Sequence, residues 1–207
     1  MAKTYEILKH LPATGPMYVT VNDGRSYDPN YSEGFVVKFF KSNGDEWVAN
    51  FKKGVFNSVL KLKEESNLLV VAAGVGYLIN PDQETPVGIL KTNYIYEALQ
   101  APDGRIVLCG SCNIMIVDTK LNIWSSERIS LDGFREISIK NNVITGLYFE
   151  HSNKYDDTDW IEFSINMNTK EITGVELSQN YNTPTEALST QNFFQNNIPP
   201  KPWWKIW

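Results

Sequence analysis

Residues 68–82 read Leu-Leu-Val-Val-Ala-Ala-Gly-Val-Gly-Tyr-Leu-Ile-Asn-Pro-Asp, and residues 105–120 read Arg-Ile-Val-Leu-Cys-Gly-Ser-Cys-Asn-Ile-Met-Ile-Val-Asp-Thr-Lys. Each stretch is a short apolar run, a break of small residues, a second apolar run and a polar turn. Such runs, rich in β-branched residues and bounded by Gly, Asn, Asp or Pro, are the grammar of strands paired through tight turns. Two further segments begin the same way. Val143–Phe149 follows Asn141-Asn142, and Met17–Val21 follows Gly15-Pro16. The third strands end in Ser42-Asn43-Gly44-Asp45, Asn80-Pro81-Asp82, Asp118-Thr119-Lys120 and Asn166-Met167-Asn168-Thr169-Lys170. From Asn43 to Pro81 is 38 residues, from Pro81 to Thr119 again 38, and from Thr119 to Asn168 49. The polar insert Glu150–Thr158 accounts for the longer last step.

Four strands per unit and a period of about 40 residues resemble the blades of a β-propeller. The resemblance covers roughly residues 5–176 and is architectural. There is no repeated Trp-Asp signature and no kelch double glycine, so it names no specific family. It implies an all-β fold, a small propeller or propeller-like array of four four-stranded antiparallel units. The units are expected at about 5–52, 56–91, 95–129 and 134–176, within a repeat domain over 1–177 followed by a tail over 178–207. Alternation of Ile161, Phe163 and Ile165 with Glu162, Ser164 and Asn166 predicts a strand with one buried face. A β-sandwich would explain the strands but not the equal steps. Whether four units close a ring, stay open or complete a larger ring by self-association is left open.

The chain has 207 residues, 42% hydrophobic and 21% charged, enough apolar material for a core and too little charge for a disordered chain. Its net charge of −5, with Lys and Arg scattered, argues against nucleic acid, whose phosphates need a basic surface. The acidity suits a partner with a basic surface. No leader-like apolar segment follows Met1, no run is long enough to span a bilayer, and two cysteines are too few for a disulfide scaffold. These features predict a cytoplasmic protein with no membrane contact.

The repeats are not equivalent. In units two and three the link between second and third strands is minimal, Gly74-Val75-Gly76 and Gly110-Ser111. Units one and four carry long polar inserts there, Asn22–Gly34 and Glu150–Asp159. In a closed ring units one and four are neighbours, which would bring both inserts to one face. Long loops on a rigid scaffold are where binding residues sit. The expected binding set is therefore Asp23, Arg25, Tyr27, Asp28, His151, Tyr155, Asp156, Asp157 and Asp159, an acidic, tyrosine-bearing surface. Tyr supplies contact area at low entropic cost and carboxylates select a cationic partner. Solvated connections whose Asn and Asp side chains satisfy their own backbones are the alternative.

Motifs for chemistry are weak. Cys109-Gly110-Ser111-Cys112 has redox spacing, but it flanks a hairpin turn instead of opening a helix, and zinc would need two more ligands, with only His10 and His151 to offer. Asp156-Asp157-Thr158-Asp159 lacks the glycine of a calcium loop. There is no Gly-x-Ser-x-Gly elbow and no phosphate-binding glycine loop. No cofactor, metal or catalytic residue is assigned.

The tail is rich in Asn, Gln, Ser and Thr, with a helix start at Thr183-Pro184-Thr185-Glu186. It ends in Trp203, Trp204 and Trp207. These rings are expected to dock on the protein's own surface, plugging a seam or covering an edge strand; anchoring in a partner, or in a second copy to form a homo-oligomer, is the alternative. The function expected is non-enzymatic protein binding of an immunity- or inhibitor-like kind. The alternative is a hydrolase or lyase on a propeller scaffold, using loop carboxylates with or without a metal.

Overall fold

A computed structural model gives the fold and describes residues 3–15, 17–21, 33–63, 66–90, 92, 94–150, 160–175 and, for the backbone alone, 194–195. The protein is all-β, with four successive four-stranded sheets that form a propeller-like repeat array. Among the described residues no helix is long and apolar enough to cross a membrane. The first sheet holds β1 (Tyr5–Leu8), β2 (Val19–Val21), β3 (Phe35–Phe40) and β4 (Glu46–Phe51). The second holds β5 (Asn57–Lys61), β6 (Leu68–Ala72), β7 (Val75–Ile79) and β8 (Gly88–Leu90). The third holds β9 (Glu97–Gln100), β10 (Ile106–Cys109), β11 (Ile114–Val117) and β12 (Ile123–Ser125), and the fourth β13 (Phe134–Lys140), β14 (Val143–Phe149), β15 (Trp160–Asn166) and β16 (Ile172–Thr173). The last described strand, β17 (Phe194–Gln195), pairs antiparallel with β8 and gives the second sheet a fifth strand.

Sheets two to four are meanders, as the repeat predicts. Their tight hairpins follow turn chemistry. Asn141 and Asn142, at φ 51° and 62°, close β13 on β14. Ala73 and Gly74, at φ 49° and 77°, close β6 on β7. A two-residue hairpin of this kind needs positive φ at both central positions. The turn therefore falls one residue before the Gly74-Val75-Gly76 link read from sequence, and Gly76 lies inside β7.

The turns whose spacing set the repeat share one device. Asn80 Oδ1 accepts the Asp82 N–H (2.9 Å), Asp118 Oδ1 accepts that of Lys120 (2.9 Å), and Asn166 Oδ1 accepts that of Asn168 (2.9 Å). In the first sheet Asn43 Oδ1 accepts the Asp45 N–H (3.0 Å). A carboxamide or carboxylate that caps its own turn competes with strand continuation and stops it there.

Sheet one departs from the expected meander. Its order is β1-β3-β4-β2, and β2 runs parallel to β4, with Val19 opposite Ala49 and Val21 opposite Phe51. Of the expected strand Met17–Val21 only Val19–Val21 is a strand, and it lies at the sheet edge, not second in a meander. Parallel pairing needs a long connection, which the stretch 22–45 between β2 and β4, with β3 inside it, supplies, whereas the short turn at 41–45 obliges β3 and β4 to be the hairpin.

The chain divides into two compact units, 1–59 with 66–91 and 194–207, and 60–65 with 92–193. In the first, Phe39 stacks near Trp47 (4.7 Å between centroids) and Phe51 near Tyr77 (5.3 Å) in a core with Val37, Ala49, Val70 and Ile79. Trp47 Nε1–H donates to the Pro81 carbonyl at 2.7 Å. In the second, Val107, Ile116, Ile144, Tyr148, Phe163 and Ile165 form the core. Arg105 donates to the Met167 carbonyl at 2.7 Å. Both of these bonds end on the residue that follows a turn-capping Asn, Asn80 or Asn166, so the same turn that ends a hairpin offers its carbonyl to the preceding sheet.

Candidate functional site

The binding residues expected from sequence, Asp23, Arg25, Tyr27, Asp28, His151, Tyr155, Asp156, Asp157 and Asp159, lie outside the described residues, as do the helix start at Thr183 and Trp203, Trp204 and Trp207. The strand ends that carry the inserts are described, and they are firmly built. In sheet four Phe149 pairs with Trp160 across β14 and β15, their rings edge to face at 5.4 Å. The Arg135 guanidinium lies 4.1 Å over the Trp160 ring. Tyr148 donates to Glu150 (3.1 Å). Ser130 Oγ donates to the Gly133 carbonyl (2.6 Å) and accepts the Phe149 N–H (3.1 Å), and the Leu131 N–H donates to the Phe149 carbonyl (2.9 Å). The insert of unit four thus leaves and rejoins a sheet whose rim is locked by backbone bonds and an aromatic–cation stack.

The insert of unit one is anchored in a different way. Val21 and Phe35, which bound it, both pair with Phe51, on opposite sides of β4. The Gly34 N–H donates to the buried Asn50 carboxamide (2.9 Å). A Cβ at Gly34 would stand 1.9 Å from the Phe51 carbonyl oxygen, so the strand entry admits only glycine. Glu33 accepts the Leu11 N–H (2.7 Å) and lies 3.2 Å from His10 Nδ1.

Cys109 ends β10, opposite Glu97 and Ile114, and Cys112 lies in the Gly110–Asn113 loop. Cys109 is buried; burial, and then the Glu97 carboxylate, push its thiol well above the usual range, which keeps it protonated and unreactive. Burial also raises the Glu97 carboxyl. Both cysteines are free, and among the described residues no group of three or more His, Cys, Asp or Glu could hold a metal ion.

A feature that sequence reading missed lies on sheet four. β13 carries a bulge between Arg135 and Ser138, where Glu136 adopts φ 54°. Ser138 and Thr145 share a hydrogen bond at 2.8 Å, and Ser164 and Thr173 share another at 2.8 Å, placing a row of hydroxyls across all four strands. Beside this row runs a groove of about 490 Å³, lined by Glu136, Thr145, Leu147, Glu162, Ser164 and Thr173 among others. The alternation of Glu162 and Ser164 with Phe163 and Ile165 marked one wall in advance. The bulge that turns Glu136 onto the same side had no local signal.

Comparison of the chain with family models, with curated proteins and with solved structures finds no match.

Proposed function

We propose that the protein is a cytoplasmic, non-enzymatic binding protein of an immunity- or inhibitor-like kind. Its polar inserts present an acidic, tyrosine-bearing surface to a protein partner with a basic surface. The observation that carries the reading is the braced rim of sheet four. An insert of nine residues between Glu150 and Trp160, with His151, Tyr155, Asp156, Asp157 and Asp159, springs from the Phe149–Trp160 pair and its Arg135 stack. Rigid strand ends lower the ordering cost of a loop that binds. The net charge of −5 gives such a partner an attractive field from a distance.

The test is capture of the partner by in-cell crosslinking to the full chain, identification, and titration of the purified pair. Asp156→Asn/Asp157→Asn is expected to weaken the complex by roughly tenfold, chiefly through slower association. Unchanged affinity in that variant would refute the assigned surface. A calcium or zinc ion that copurifies and raises Tm, and whose effect those substitutions abolish, would overturn the reading in favour of a hydrolase or lyase.

A further inference from the structure

The groove on sheet four has a chemistry of its own. Arg135, Leu147 and Glu162 are in register across β13, β14 and β15, so they share one side of the sheet. Glu136 and Ser138 are exposed on β13, and Ser138 is in register with Thr145 on that same side. The two glutamates therefore stand on β13 and β15, two strand spacings or about 10 Å apart at their backbones. Between them lie Leu147 and Thr145. Long carboxylate side chains leaning in from either side can both reach one group held over β14.

Neither glutamate forms an ion pair among the described residues. The adjacent cation, Arg135, is placed over the Trp160 ring at 4.1 Å. The flanking hydroxyls are already paired with one another, Ser138 with Thr145 and Ser164 with Thr173, yet keep lone pairs that accept N–H donors. The open groove, of about 490 Å³, has room for a long side chain. An apolar floor at Leu147, two carboxylate walls and an acceptor row match an aliphatic stem that ends in a cation.

The geometry points to this groove as the seat of a lysine or arginine side chain presented by a protein partner. It goes beyond the loop-borne surface: both call for a basic partner, but the groove uses none of the insert residues. A partner that grips the inserts could seat a basic side chain here as a second, separately measurable contact.

The probes are Nα-acetyl-lysine amide and Nα-acetyl-arginine amide, titrated into the isotopically labelled full chain and read by amide chemical shifts. The expected result is saturable shifts, weakened by salt, at residues of β13–β16 around Glu136, Thr145, Glu162 and Thr173. Glu136→Gln/Glu162→Gln should weaken the binding by about tenfold and either single substitution by about threefold, with Tm unchanged because both side chains are exposed. Asp156→Asn/Asp157→Asn should leave these titrations as they are, which separates failure of the groove from failure of the loops. The uncharged Nα-acetyl-glutamine amide should cause no shifts. Absence of saturable shifts, shifts elsewhere, or shifts indifferent to the double substitution would overturn the inference. So would binding of cadaverine more than tenfold tighter than the capped lysine, since that would make the occupant a free diamine.

Discussion

Replacing Arg105 by Met tests how the second unit joins its two sheets. Arg105 is 14% exposed and makes four contacts: to the Met167 carbonyl (2.7 Å), to Asn142 Oδ1 (3.1 Å), and to Asp103 Oδ2 through Nε (2.7 Å) and an outer nitrogen (2.6 Å). Met keeps most of the apolar stem, so the loss is polar. The bond to Met167 is charge-assisted and joins sheet three to sheet four, in the class worth about 1.5–3 kcal/mol. It is partly redundant, because Lys170 Nζ reaches the same carbonyl at 2.5 Å and would stop it being orphaned. Asn142 is exposed and water replaces its lost donor at little cost. Asp103 is 39% exposed, so its pair with Arg105 adds under about 1 kcal/mol. The sum expected is about 2 kcal/mol, measured by urea denaturation followed by far-UV circular dichroism. The same variant changes the acid limb. The Arg105 guanidinium, by hydrogen bonding first, holds the Asp103 carboxyl below its usual range. A lowered carboxyl contributes stability that is complete above the unfolded value of about 4 and is lost as pH falls through the folded value. Arg105→Met and Asp103→Asn should both flatten stability against pH below about 4. A cost under about 0.5 kcal/mol, or an acid limb identical to that of the parent, would refute the assignment of Arg105 as the link between these sheets.

Other predictions follow from buried groups. Trp47→Phe keeps the ring against Phe39 but strands the Pro81 carbonyl, and should cost about 2–3 kcal/mol with an unchanged urea m value. Because burial raises the Glu97 carboxyl, ionising it opposes folding at neutral pH; Glu97→Gln should raise Tm at pH 7, with the gain vanishing below about pH 4, which a pH series of thermal melts checks. With an aromatic disulfide reagent at pH 8, Cys112 should react in the native protein and Cys109 only after unfolding, because Cys109 is buried and its thiol is held protonated.

The sequence by itself determined what is local. Asn80, Asp118 and Asn166 end strands with their own side chains, so their spacing could be read as the spacing of hairpins. Asn141-Asn142 set the β13–β14 turn in the same way, because few residues accept the left-handed backbone it needs. What the tertiary structure decided depends on partners distant in the chain. The parallel seat of β2 beside β4 is set by which sheet edge is open once β3 and β4 have formed their hairpin, and Val19–Val21 carries no mark of direction. The Glu136 bulge arises where β13 must stay in register with β14 on both sides of Gly146, at which a Cβ would meet Ile137 Cδ1 at 2.5 Å and the Arg135 carbonyl at 3.0 Å. The groove follows from that bulge. Arg105 and Met167, 62 residues apart, meet only because one sheet stands beside the next. A short-range code of turns and alternation fixes strands and their count; edges, bulges and the bonds between sheets are settled by packing, which no window of sequence contains.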